Sequence, residues 1–139
     1  MNFSRLIAVL LVFTLISACK KDSEPNNFVT ATINSSAWSA DNVTLTTSNG
    51  KRKLKGNKSG NMYLEIELEE SATGTIDLTG NQASITYSDG DDTFITVLEG
   101  SLTLTTNEDG HVEGTFSTRI ESNFSGESVN ITNGRFRFD

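Results

Sequence analysis

The sequence predicts an all-β domain, an antiparallel β-barrel or β-sandwich of roughly nine or ten short strands, and three observations carry that prediction. From Phe28 onward apolar and polar residues alternate with period two and hardly ever with the 3.6-residue period of a helix. Dipeptides of hairpin chemistry, Asn49-Gly50 foremost, punctuate the alternating runs. Leu, Ile, Val and Phe are scarce, about 21% of residues 19–139, barely above the level at which highly charged chains stay unfolded. A chain of this size then closes a core only by holding nearly all of its large side chains on one sheet face.

The elements follow in chain order. Residues 1–18 read as a cleaved signal peptide, expected as a precursor helix. Arg5 is its one charge, Leu6–Ile16 is apolar apart from Thr14, and Ser17-Ala18-Cys19 closes it. The apolar run fits the roughly 7–15 residues of a signal-peptide core and falls well short of the roughly 20 needed to span a bilayer. Ile16-Ser17-Ala18-Cys19 resembles the bacterial lipobox, an aliphatic residue, two small residues and Cys. That resemblance implies cleavage between Ala18 and Cys19, a lipid (diacylglyceryl and fatty acyl chains such as palmitate) on Cys19, and attachment to the bilayer through it. Two or three acyl chains exceed what marginal, reversible binding requires. Residues 19–27 then form a flexible tether: Lys20 to Asn27 contains no apolar residue and the chain's single Pro, Pro25.

Residues 28–139 are read as one antiparallel β-domain. Phe28–Ile33 alternates, as does Val43–Leu45, and Asn49-Gly50 is a two-residue type I′ signal that sets Leu45 opposite Leu54. Met62–Glu69 is the clearest strand, with Met62, Leu64, Ile66 and Leu68 on one face and Tyr63, Glu65, Glu67 and Glu69 on the other. Shorter alternations follow at Ile76–Leu78, Ala83–Tyr87, Leu102–Leu104, Val112–Ile120 and Val129–Ile131, with Asp89–Asp92 and Asn107–Gly110 as hairpin loops. Asn133-Gly134 reads as a hairpin or as a Gly bulge; the bulge is preferred because it explains the shift of apolar phase between Ile131 and Phe136.

Composition narrows the chemistry. One His and one Cys leave no internal disulfide, no multi-His or multi-Cys zinc site and no triad around His111, which follows a hairpin loop as a polar residue. The formal net charge of −7 grows more negative once Arg5 leaves with the signal peptide, which suits neither nucleic acid nor an anionic lipid surface. No phosphate loop or nucleophile elbow is present.

The remaining candidates are few. Asp89, Asp91 and Asp92 beside Gly90 offer oxygen ligands for a weak Ca²⁺ site, against the commoner reading of Asp-Gly as a solvated turn. Glu65, Glu67, Glu69, Glu70 and Glu99 offer carboxylate pairs for a hydrolase, although alternation reads the first three as one wet face. Trp38, between small residues, serves either as a core plug or as a contact for a ligand or partner. Lys51, Arg52, Lys53, Lys55 and Lys58 form a basic cluster that either binds an acidic partner or guards a sheet edge.

Phe28–Ala40, Gly114-Thr-Phe-Ser117 and Val129–Phe136 together resemble a family of small Bacteroidetes-type lipoproteins defined by a domain of unknown function. The family often carries Gly where this chain has Ser35. The resemblance implies a β-rich domain on a lipid tether, at the periplasmic or the cell-surface face of the outer membrane, with no activity to carry over. The function expected is a non-enzymatic envelope lipoprotein whose β-domain binds a protein or glycan partner, with no cofactor beyond the lipid. The alternative is a lipocalin-like carrier of a small apolar ligand in a cavity lined by Leu64, Ile66, Phe94 and Phe116.

Overall fold

The computed structural model describes residues 25–139. The expected signal-peptide helix, the cleavage position at Ala18 and Cys19, the lipid on Cys19 and most of the tether lie outside the described residues. Ten strands run in order: β1 Phe28–Ile33, β2 Ser36–Ser39, β3 Asn42–Ser48, β4 Lys51–Lys58, β5 Met62–Glu69, β6 Thr75–Asp77, β7 Ala83–Ser88, β8 Thr93–Glu108, β9 His111–Ser122 and β10 Ser128–Phe138. All pairings are antiparallel. Among the described residues there is no helix.

The strands form one sheet in the order β2-β1-β10-β9-β8-β7-β5-β4-β3, with β6 paired to β8. This sheet curls into a half-barrel, so the sandwich alternative is set aside. Curling brings β3 and β4 back against β1 and β10, with Ala40 and Asp41 linking the edge strands β2 and β3. Ala40 N–H donates to Val29 of β1, and Asp41 N–H donates to Asn57 of β4. Gly56 makes the approach possible, because a Cβ there would lie 2.9 Å from the Cβ atoms of both Val29 and Ala40. One glycine thus lets β4 pack against the far end of the sheet.

Alternation builds the core as expected. Leu54, Leu64, Ile66, Leu68, Ile85, Leu102, Ile120, Ile131 and Phe136 are almost fully buried on the concave face. Leu45 pairs with Leu54 across the Asn49-Gly50 turn, whose residues both have positive φ, as a type I′ turn requires. Asn133-Gly134 is the bulge and not a hairpin: β10 continues through it, and its register slips by one residue against both β1 and β9. Two cross-strand pairs lie on the C-terminal side of the slip along β10, Gly114 with Phe136 and Gly134 with Phe116. In each pair the ring lies over the glycine, leaving 2.7 Å and 2.6 Å for an added Cβ.

Three departures have local causes. Ser36–Ser39 is a strand that the pattern missed, because its Ser and Ala carry no apolar alternation. It turns back from β1 through Asn34 and Ser35, both at positive φ, with Ile33 opposite Ser36; the turn is type I′ built without glycine. The segment expected at Leu102–Leu104 belongs to a 16-residue strand, β8, whose first half is masked in sequence by register shifts between Phe94 and Thr96 and between Val97 and Glu99. The lysine-bearing strand β4 is interior, and the edge strand β3 carries no charge, so the lysines do not guard an edge.

Candidate functional site

The basic cluster and the glutamate row turn out to be one structure. Antiparallel register places Lys51, Lys53 and Lys55 of β4 opposite Glu69, Glu67 and Glu65 of β5. Lys51 meets Glu67 at 2.7 Å, and Lys53 lies 3.1 Å from Glu65 and 3.5 Å from Glu67. The hydrogen bond from Lys51 holds the Glu67 carboxyl below its ordinary range, and the bond to Glu65 raises the Lys53 ammonium. Carboxylates satisfied in this way are not arranged as an acid and base about a cleft. Lys55 lies 4.0 Å over the Tyr63 ring.

Alternation sends Arg52 the other way, into the barrel, where its side chain is 7% exposed. Its guanidinium donates to Asn107 Oδ1 at 2.9 Å and to the Glu70 carbonyl at 3.2 Å. Asn107 Nδ2 in turn reaches the carbonyls of Glu69, Glu70 and Ala72. This polar plug closes the end of the half-barrel where the described chain enters. His111 sits at the same end on the β8–β9 hairpin, its Nδ1 against Asp139, which also pairs with Arg137 at 3.0 Å. Asn27 accepts a hydrogen bond from Asp139 N–H.

Trp38 is 6% exposed, and its ring joins the hydrophobic core. Its Nε1 has no hydrogen-bond partner, and Lys58 lies 6.0 Å from the ring. The ring packs in the core and also lines a shallow groove with Thr30, Ala37, Lys58 and Asn133. Shallow grooves of about 380 and 350 Å³ run over the outer face of β8, β9 and β10 beside the bulge, lined by Ser101, Ser117, Thr103, Thr115, Arg119 and Asn130 among others.

The acidic loop of the calcium candidate lies at the opposite end from the chain's entry. Asp89 Oδ1 accepts the N–H groups of Asp91 and Asp92, and Ser88 Oγ accepts that of Gly90. Asp92 faces away from Asp89 in function: its Oδ1 accepts the Ser122 hydroxyl at 2.8 Å and its Oδ2 the Ser125 hydroxyl at 2.6 Å. Those two bonds, Ser125 first, lower the Asp92 pKa. The three carboxylates therefore do not converge, and among the described residues no group of three His, Cys, Asp or Glu side chains is placed to hold a metal ion.

What Asp92 does instead is fasten the β9–β10 loop, residues 123–127. Ser122, 1% exposed, is the hub: its Oγ accepts the N–H groups of Phe124 and Ser125, and its backbone bonds Gly126 and Glu127. Thr96 on β8 binds Asn123. The loop so fixed presents Phe124 with 95% of its surface in solvent, and the neighbouring β8 segment adds Ile95 at 46% and Leu98 at 40%. Sequence reading missed all three residues. Phe124 stands alone between polar neighbours, and the bulges of β8 hide which way Ile95 and Leu98 point. These are the large exposed hydrophobic side chains of the described domain, gathered at one end and held on a loop whose polar groups are internally satisfied.

Comparison with known families matches residues 26–137 to a domain of unknown function, DUF6252. No curated protein and no solved structure matches the chain.

Proposed function

The chain belongs to the DUF6252 family, and from that premise we propose that it is a non-enzymatic envelope lipoprotein, held to the bacterial outer membrane by lipid on Cys19, whose β-domain binds a partner with the end farthest from its tether. The observation that carries the reading is polarity of placement. The chain enters beside Phe28, opposite Arg137, whereas Phe124, Ile95 and Leu98 crowd the other end, where β9 passes into β10. A domain tethered by its N-terminus leaves that end free to meet a partner away from the anchor.

The packing supports partner binding over internal carriage. Leu64, Ile66, Phe94 and Phe116, the side chains that would line a carrier's cavity, are buried together in the core cluster. The ion-paired Glu65 and Glu67 likewise give a hydrolase no free carboxylate pair on β5. The outer-face grooves beside the bulge, rich in hydroxyls, keep a glycan as the second kind of partner.

The anchor is tested by fractionating cells that express the wild type and Cys19→Ala. Wild-type chain in the membrane pellet and the variant in the soluble fraction support the reading; a soluble wild type sinks it. External protease on intact cells then assigns the face of the outer membrane.

A further inference from the structure

We propose that the tip is a protein-docking knob, in which Phe124 enters an apolar pocket rimmed by basic side chains on a second envelope protein. The proposal rests on the partner-binding reading above and names the partner's chemistry.

Three observations carry it. First, Phe124 contributes almost nothing to the fold at 95% exposure, yet its loop is fixed by hydrogen bonds that the Asp92 carboxylate accepts from Ser122 and Ser125 and that these two hydroxyls accept from the loop N–H groups. An anchor already ordered before binding loses little conformational entropy on docking, which is the property of an interface hot spot. Second, the exposed apolar area is not a lone ring. Thr96 bonded to Asn123 ties the strand carrying Ile95 and Leu98, both exposed, to the loop that carries Phe124. Third, this end is acidic on balance: Asp89, Asp91, Asp92, Glu121 and Glu127 lie on the two loops joined by Asp92 and on the adjoining strand end, against Arg119 on β9 and Lys58 beside the β4–β5 turn. An acidic balance at an apolar end repels an anionic bilayer surface and complements lysine or arginine at the rim of a protein pocket.

The decisive experiment places a benzophenone amino acid at position 124, and in a separate chain at Thr46 on the edge strand, in the full-length lipoprotein of intact cells. After irradiation, position 124 should give one discrete protein adduct and Thr46 none, and mapping the adduct should find apolar residues flanked by Lys or Arg. Asp91→Lys combined with Glu127→Lys should cut the adduct yield at least tenfold. Phe124→Ala should melt like the wild type, since the ring is exposed, yet lose the complex recovered by chemical cross-linking. A lipid adduct at 124, or a pocket without basic residues, overturns the proposal. If Phe124→Ala still recovers a stoichiometric partner, the knob is wrong and the partner-binding reading stands; if neither chain recovers any partner, both fall.

Discussion

Asn107→Ala should be among the most damaging single substitutions outside the apolar core, although the residue lies near a hairpin loop. The amide shares its two donor hydrogens among the carbonyls of Glu69, Glu70 and Ala72 at 3.0 to 3.2 Å and accepts the buried Arg52 guanidinium at 2.9 Å. Two neutral hydrogen bonds are worth about 1 kcal/mol each, and a bond to a charged group about 1.5–3 kcal/mol. The expected cost is therefore about 4 kcal/mol, a large part of the roughly 5–15 kcal/mol that holds a typical domain folded. For a domain of this length that corresponds to a fall in Tm of roughly 12–20 °C.

The assay is thermal and urea unfolding of the chain in detergent. Its single tryptophan, Trp38, lies in the core cluster, so its fluorescence should report on core exposure. Arg52→Met and the double variant that combines it with Asn107→Ala complete a cycle. Removing both polar partners should cost less than the sum of the single changes, by roughly 1.5–3 kcal/mol, because the bond between them is lost in each single variant and only once in the double. A loss below about 1 kcal/mol for Asn107→Ala, or additive single changes, would refute the coupled plug.

The remaining predictions concern the turn, the seam and the tip. Ser35→Gly should stabilise the domain by about 1 kcal/mol, since Ser35 sits at φ +70°, where a side chain is strained; a lower urea midpoint would contradict this. Gly56→Ala should cost about 1–3 kcal/mol by overpacking, and hydrogen exchange should locate the damage at β1 and β2, because the added Cβ meets Val29 and Ala40. The Asp92 carboxyl is depressed by Ser125 and Ser122, so its contribution is present above the unfolded-state pKa of about 4 and is lost as pH falls through the lower folded value. The protection of amides 123–127 relative to their intrinsic exchange rates should fall as the pH drops below about 4, and Asp92→Asn should flatten that response; a tip indifferent to both changes would contradict the assignment.

The legible part of the fold was whatever alternation and glycine turns write directly. Met62–Glu69 reads off its own pattern, and the preference for a bulge at Asn133-Gly134 came from one shift of apolar phase that β10 reproduces. Three features were illegible for physical reasons. A type I′ turn formed by Asn34-Ser35 lacks the glycine that signals it. Bulges in β8 break the period that would have marked its first half. The basic cluster misled because composition counts Arg52 with the lysines, whereas strand alternation separates them to opposite faces. The tip was hidden for another reason: its defining interactions join Asp92 to Ser122 and Ser125, pairs about thirty positions apart, and neither loop announces the other.

The two ends of the half-barrel solve one problem with different consequences. At each end a buried polar group gathers the loop backbone that strands cannot satisfy, Asn107 with Arg52 at one and Ser122 with Asp92 at the other. At the plug end the same device covers the core, and the side chains it organises face inward or pair among themselves. At the tip it holds the loop shut and leaves a phenylalanine outside. Loop closure does not require that residue, because the hub contacts Phe124 only through its backbone N–H, a bond that any non-proline residue could make. The aromatic ring is therefore separable from stability, and a serine at position 124 should leave folding unchanged while abolishing whatever the tip recognises.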